Sequence, residues 1–545
     1  MKKTLLFLLL LFSAVMHSQI VELQKLSNGE LVQGQPLFNK TQDDVYGYLF
    51  IFKKDKLDKK EFLYEYTLLD KNLNKVLSGD FTEILGNYGK SIDVNGIYRE
   101  GFISFKIDEM YSEYTAKIRS RYRVLDIKAN SLSDAFVLDE NLDKVYNEEP
   151  KSARKSTVFT FWPNSFGYSL TTPVENNIDR GLFAMTPNTM LDAGARERGI
   201  YYFNEQLDPV WSLDYNEDAT KKKYEEISFL NNKNHSDILV GRRYYNGSKN
   251  ENLREKGELF NTFLFLNKDS GELINEFSPY GLKQANGIEA KDISTINVYM
   301  NSNERVVFLD RIMNTKGKKF VFDEEKITGF SKSEYEISTG KEISRNFFTW
   351  DKLSKHLSID EYGYIKEKGE PNSYLYFHDA ILKSNGNIIF VTEQYRTLSG
   401  TIMVAGSQGV KINDMILFEV DKNMDLVQYK RVAKDSKNIR NGVKMQGTSA
   451  DYFGAFDYSG YQDLGDDNYI FFYFNKQRSG EGGRKQRVLG IISSLDGVLK
   501  EQKLPLKSKD GSELSIAAAK KGYILIMEKF KDRKKGVEMR LEKVN

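Results

Sequence analysis

The sequence predicts an all-β chain folded as one β-propeller, eight-bladed by the count of its units, with seven as the alternative. Three observations predict it. A hairpin pattern recurs, a doubly apolar run precedes its copies, and each terminus offers an incomplete unit to the other.

The hairpin pattern is clearest at 259–277, LFNTFLFLNKDSGELINEF. An apolar run yields to turn residues at 267–271 and then to a mixed run, which reads as strand, tight turn, strand. Copies begin at Tyr64, Ala135, Ile200, Tyr335, Met415 and Val488. Each has Asp, Asn or Gly at its turn, where those residues tolerate left-handed backbone angles or cap the turn with a side chain.

The preceding run is YGYLFIF at Tyr46, and its copies begin at Gly101, Phe166, Ser236, Arg305, Gly386, Asn468 and Gly522. The spacing is on the order of 60–80 residues, longer than a minimal propeller repeat. Successive strand residues point to opposite faces, so a run apolar at consecutive positions is buried on both. The second run of the hairpin, such as ELINEF at Glu272, can keep one side wet. Each unit thus holds a deep strand and an outer one. Four-stranded sheets packed face to face around an axis meet that requirement. A row of β-sandwiches would alternate polar and apolar residues in most strands instead.

Taken in order, 20–26 (IVELQKL) is a short strand ahead of any complete unit, and 536–543 is the third strand of a last unit without a fourth. Strand 21–26 is therefore expected to complete the last blade and close the ring, which removes a ragged edge. The units span about 31–81, 91–146, 156–215, 224–277, 292–348, 374–432, 443–504 and 514–544. The second holds more strand than four places need, and counting it as an insertion gives seven. In the third, the FWPN of 161–164 marks a turn between its first two strands. Helix is scarce; 349–357, TWDKLSKHL, with Thr349 as N-cap candidate, is expected to form one in the link between the fifth and sixth units.

Residues 1–18 carry Lys2 and Lys3 ahead of a short apolar core at 5–15, the pattern of a secretory signal peptide too short to span a bilayer. Cleavage is expected between Ser18 and Gln19, leaving 19–545 as one exported domain, periplasmic or extracellular. No later stretch reaches the roughly 18 apolar residues of a membrane span. The chain has no Cys, so disulfides, lipid attachment at Cys and thiolate metal sites are all excluded.

Lys and Arg number 79 against 77 Asp and Glu; loss of the leader removes two lysines and balances them. Capture of nucleic acid needs a basic surplus or stripe, so no nucleic-acid partner is expected. Aromatics are 13% of the chain, with 32 Tyr and 35 Phe but 3 Trp, a supply that suits strands and sheet packing.

The connections differ by position. Third-to-fourth-strand turns are tight, at 70–74, 267–271, 421–425 and 495–497. Connections after the second strand are long, at 172–199, 246–257, 314–327, 395–412 and 475–487, and 349–373 links two blades. In a propeller both long kinds leave the same face, and elaborated loops on a rigid scaffold are where binding residues concentrate. Arg180, Arg196 and Arg198 share one such loop, Tyr395 and Arg396 begin another, and Arg484 lies in the Gly-rich basic SGEGGRK of a third. A phosphate cradle needs a helix after the loop, and here a strand follows. DLGDDN at 463–468 clusters oxygens without the alternate spacing of a calcium loop, and reads as a turn.

After the leader the histidines are His235, His356 and His378. There is no HExxH and no G-x-S-x-G, so neither a zinc hydrolase nor a serine hydrolase is expected, and no metal or cofactor. His378 and Asp379 fall on a first strand near the central channel, where a His beside a carboxylate can do acid–base work. Neighbours on a strand point apart, which favours a structural His.

Sialidase, WD and kelch signatures are not repeated along the chain. Eight-bladed quinoprotein dehydrogenases resemble it in blade count only, since their tryptophan docking motifs are missing. The sequence therefore points to an exported binding or scaffold protein engaging a protein or glycan through its long-loop face. The alternative is a carbohydrate-active enzyme, glycoside hydrolase or lyase, with acids in the central funnel.

Overall fold

Eight antiparallel sheets follow one another along the chain among the residues described by the computed structural model. It describes residues 21–39, 44–85, 89–111, 119–138, 143–146, 169–171, 182–185, 199–214, 222–230, 238–246, 258–267, 269–278, 293–302, 304–313, 327–367, 369, 371–398, 408–440, 447–452, 454–478, 485–506, 509, 512–531 and 536–544. The first sheet pairs Glu30–Phe38, Val45–Lys56, Glu61–Asp70 and Lys75–Ile84 in that order. The fourth, fifth and seventh repeat this four-strand meander over 222–277, 293–349 and 458–506, and the sixth does so over 374–432 with Lys437–Arg440 added beside its third strand. In the eighth, Ser512–Ala518, Tyr523–Phe530 and Val537–Lys543 are joined by Val21–Glu22, with Val21 opposite Met539 and Glu22 opposite Glu538.

The doubly apolar runs are second strands buried on both sides. In Val45–Lys56, Leu49 and Ile51 pack with Phe105 and Ile107 of the second sheet, while Tyr48, Phe50 and Phe52 pack with Leu525 and Met539 of the eighth. The core is therefore a series of seams between sheets. Ser104 Oγ donates to the carbonyl of Glu205 at 3.1 Å across the second seam. Across the fourth, the Phe263 and Phe308 rings meet at 4.5 Å, and Phe330 meets Phe377 at 4.5 Å across the fifth. Leu417 with Phe471, and Ile470 with Leu514, fill the sixth and seventh. The run of contacts returns to the first sheet through Leu525, Met539 and Phe50.

One turn recurs with the same chemistry. Asp70, Asn204 and Asp421 each accept backbone N–H bonds from the residues two and four positions on, at 2.8–3.0 Å. The residue three on is Leu73, Leu207 or Met424, at φ 70°, 63° and 66°. Branched and bulky residues rarely adopt such angles, and here each side chain is no more than 2% exposed. Burial of the plug offsets the backbone strain. A lysine of the preceding unit fastens each turn. Lys144 Nζ donates to the Gln206 carbonyl at 2.7 Å and Asp208 at 2.6 Å, Lys352 to the Met424 carbonyl at 2.9 Å and Asp425 at 2.7 Å, and Lys520 to Asn72 at 2.8 Å. The turn at 267–271 differs, because Gly271 has φ 70° and a Cβ there would lie 2.5 Å from the Trp211 ring of the third sheet.

Several expectations need correction. In the third sheet Ser169–Thr171, from the run at Phe166, is the first strand rather than the second, and Leu182–Met185 lies inside what read as one long loop. The turn read at 161–164 lies outside the described residues. Only Val21–Glu22 of the N-terminal stretch is strand; Leu23–Lys25 turns into a 3₁₀ helix that buries Leu23. The second sheet does carry surplus strand, with Ser131–Leu132 and Phe136–Leu138 both on its third strand and Lys144–Tyr146 beyond. The helix expected at 349–357 is a 3₁₀ turn, Trp350–Leu353, and Thr349 makes no side-chain cap. That link is also no open loop. Trp350, Leu353, Leu357 and Ile365 are buried in the fifth seam, with Trp350 Nε1 donating to the Ile327 carbonyl at 2.7 Å.

Candidate functional site

The first strand of the sixth sheet, Tyr374–Leu382, alternates its faces. Leu375 and Phe377 face the fifth sheet, and Tyr376 faces the seventh, stacking on Phe456 at 4.5 Å. The alternation breaks at His378. Phe377 pairs with Thr392 and Asp379 with Val391, so His378 is the extra residue of a β-bulge. A bulge re-aims side chains. His378 and Asp379 consequently face the same way, and both meet Tyr458: its ring lies 4.8 Å from the His378 ring, and its hydroxyl donates to Asp379 at 2.5 Å. The rule that strand neighbours point apart fails here.

The carboxylate partner of His378 is Glu393, on the second strand Ile388–Leu398, with Nε2 to Oε2 at 3.0 Å. Glu393 also accepts from Lys434 Nζ, from the backbone N–H of Asp457 at 3.0 Å and from that of Tyr458 at 2.9 Å. Burial would push this carboxyl up. The Lys434 ammonium, then the His378 contact, outweigh it and hold the group down at about 2. Lys434 reaches onward to Asp457 at 3.0 Å, and Lys437 meets the other oxygen of Asp457 at 2.7 Å. The cluster thus fastens the sixth sheet to the start of the seventh, Tyr458–Gly465.

Because an ionised carboxylate only accepts, Nε2 carries the proton in a neutral His378, and Nδ1 is the acceptor. The His378 side chain is 6% exposed, and Nδ1 is not one of the buried atoms left without a partner. Rings approach the imidazole from three sides: Tyr376 and Phe456 at 4.9 Å and Tyr458 at 4.8 Å.

Of the residues singled out in the sequence, the fold brings His378, Asp379 and Tyr395 into one neighbourhood. Tyr395 and Arg396 do not begin a loop. Both lie in the second strand, and Tyr395 is buried against Tyr374 and Tyr376. Arg396 pairs with Lys411 and is half-buried. Arg180, Arg196, Arg198 and Arg484 lie outside the described residues. In the turn of 463–468, Asp463 accepts from the Gly465 N–H at 2.9 Å and Asp467 from the Ser384 N–H at 2.7 Å. Among the described residues no group of three His, Asp or Glu is placed to hold a metal. His356 stacks on Tyr429 at 5.0 Å.

Sequence reasoning missed Glu393, Lys434, Asp457 and Tyr458. Glu393 carried a signal, since an acid inside the doubly apolar NIIFVTEQY must find a buried partner. Nothing local pointed to Lys434, which lies 41 residues further on.

Residues 293–545, the part that holds this site, match the model of a family of unknown function, DUF6770. No curated protein matches the sequence. Solved structures similar to the chain include the β-propeller domain of the trilobed protease from Pyrococcus furiosus, 11% identical, covering 84% of this chain and 97% of that one, with a TM-score of 0.33. The WD40 domain of SCAP from fission yeast is 8% identical over 97% of this chain and 98% of its own, TM-score 0.34. The polysaccharide lyase Uly1 is 9% identical over 92% and 88%, TM-score 0.32. Among the described residues no helix is long and apolar enough to cross a membrane.

Proposed function

We propose that the chain is an exported, non-catalytic binding or scaffold β-propeller of eight blades, closed by its N-terminal strand, which engages a protein or glycan from its long-connection end. Eight successive sheets and the pairing of Val21 with Met539 support the architecture. The observation that carries the functional reading is the state of Glu393. A general acid or base must exchange a proton near the working pH. Glu393 is buried, held as a carboxylate, and already accepts from Lys434, His378 and two backbone N–H groups. Asp457 is likewise engaged by two lysines, and Asp379 by Tyr458. The carboxylates at the seam serve cohesion rather than proton transfer.

The mature chain should bind members of a panel of polysaccharides and surface proteins without altering them. Turnover of any polysaccharide, seen as new reducing ends or unsaturated products, would replace this reading with a carbohydrate-active enzyme. The export component is checked by mass spectrometry of the N-terminus, which should begin at Gln19. A retained Met1, or a cytoplasmic location, overturns it.

A further inference from the structure

The binding role can be carried to a ligand class on the sixth sheet. We infer that the outer part of this sheet binds an anionic polysaccharide, whose carboxylates or sulfates meet Arg396, Lys411 and Arg440; the ligand class rests on the binding role proposed above. Past a register shift that leaves Gln394 opposite 413–414, three strand segments run on toward the long-connection end: 395–398, 409–412 and Lys437–Arg440. One face of this extension is packed. Tyr395, Val410 and Ile412 lie against Ala450, Ala455 and Phe456, with Ile439 beside them. The intervening residues take the other face, because strand neighbours alternate and cross-strand partners share a side. There Arg396 stands opposite Lys411, and Lys411 opposite Asn438; in the next row Leu398, Gly409 and Arg440 line up. Arg396 and Lys411 are half-buried and Arg440 is exposed.

The pairing joins two stretches that lack acids. Residues 394–413 hold Arg396 and Lys411, 436–450 hold Lys437, Arg440 and Lys444, and neither contains Asp or Glu. The balanced charge of the whole chain hides this local excess. Lys437 belongs to the packed face and is held by Asp457 at 2.7 Å. The acids bordering the extension are engaged elsewhere: Asp414 and Glu367 by Arg431, at 2.6 Å each, and Glu393 by Lys434 and His378 on the seventh-sheet side. Like charges directly opposite on a sheet cost stability, and an anion laid across Arg396 and Lys411 offsets that cost. Arginine adds bidentate recognition of a carboxylate. Gly409 leaves a gap in its row between Leu398 and Arg440, where a Cβ would lie 1.9 Å from the Ile439 carbonyl oxygen. A single-stranded nucleic acid would need rings on which to stack its bases. Arg396, Leu398, Lys411, Asn438 and Arg440 supply none, which favours a polysaccharide.

The test is isothermal titration calorimetry of the mature chain with oligogalacturonate, chondroitin sulfate oligomers, a neutral glucan oligomer and oligo-dT. At least one acidic oligosaccharide should bind, with an affinity that falls as salt is added; which of the two binds separates carboxylate from sulfate as the recognised group. Lys411→Gln and Arg440→Gln, each with its melting curve as the check on folding, should weaken that binding about tenfold, as loss of a charge-assisted hydrogen bond does. Lys500→Gln, on the exposed outer strand of the seventh sheet, should leave it unchanged. No binding of either acidic oligosaccharide overturns the inference, and binding of the neutral oligomer or of a surface protein in its place spares the broader role. Oligo-dT bound more tightly than both acidic oligosaccharides overturns the polysaccharide class. Acidic oligosaccharide binding that Lys411→Gln and Arg440→Gln leave unchanged overturns this site. Failure to bind any polysaccharide or surface protein ends the binding role itself.

Discussion

Lys434 and Glu393 meet inside the seam of the sixth and seventh sheets with neither side chain exposed to solvent. Removing one member of such a pair strands the other charge. Lys434→Met should therefore cost about 3–5 kcal/mol in denaturant unfolding. The double variant Lys434→Met, Glu393→Met should recover much of that loss, because no charge is left stranded. A single variant as stable as the parent would show that the pair contributes nothing.

Acid should loosen the same seam. Glu393 is held down at about 2 in the folded chain, against an ordinary value of 4.5. A lowered carboxyl contributes stability that is fully present above the unfolded value and is lost as pH falls through the folded one. The loss, on the order of 3 kcal/mol by linkage, should fall between about pH 5 and pH 2. Glu393→Gln should flatten that part of the stability profile. A slope identical in both proteins would assign acid sensitivity to other carboxyls.

Gly271 should tolerate no side chain. Alanine there would meet the Trp211 ring and sit at φ 70°. Gly271→Ala is expected to cost about 1–3 kcal/mol, as overpacking and strain do. The emission of Trp211 should report the displacement once Trp162 and Trp350 are replaced by Phe. An unshifted spectrum with unchanged stability would contradict the packing.

Met424→Ala should cost about 2–5 kcal/mol, the range for emptying a buried socket. Met424→Gly relaxes the left-handed backbone and still empties the socket, so it separates the two effects. If glycine were the more stable of the two by a clear margin, strain rather than packing would dominate this turn.

Deleting residues 19–27 should lower the melting temperature and promote aggregation. The deletion removes Val21 and Glu22 from the edge of Val537–Lys543 and takes buried Leu23 out of the seam between the eighth and first sheets. Differential scanning calorimetry and light scattering check it. Unchanged melting and solubility would end the closure model.

How much of this the sequence discloses depends on the range of the interaction. Two-faced burial shows in single strands, which is why Tyr48–Phe52 or Ile388–Val391 can be read as deep before any contact is known. The hairpin turns are equally local, set by Asp70 or Asp421 and the backbone just after. The short helix misled because Trp350, Leu353 and Leu357 sit at near-helical spacing, while docking of Trp350 on Ile327 decided the backbone. The bulge at His378 could not be read either. It is a property of the register between two strands, and Tyr374–Leu382 alone looks like regular alternation. The cluster around Glu393 joins residues up to 65 positions apart, beyond any motif.

The lysine-fastened turns are directional joints. At three of the seams a lysine, Lys144, Lys352 or Lys520, donates to a capped turn of the following unit, as between Lys352 and the turn at Asp421. Joints of this kind are heterologous, and Lys520 of the eighth sheet donates to Asn72 of the first in the same sense. A molecule parted between its eighth and first sheets would expose one complementary half-joint at each end. Such molecules would add end to end into linear polymers, and mixing in parted chains that lack Lys520 would cap their growth at one end.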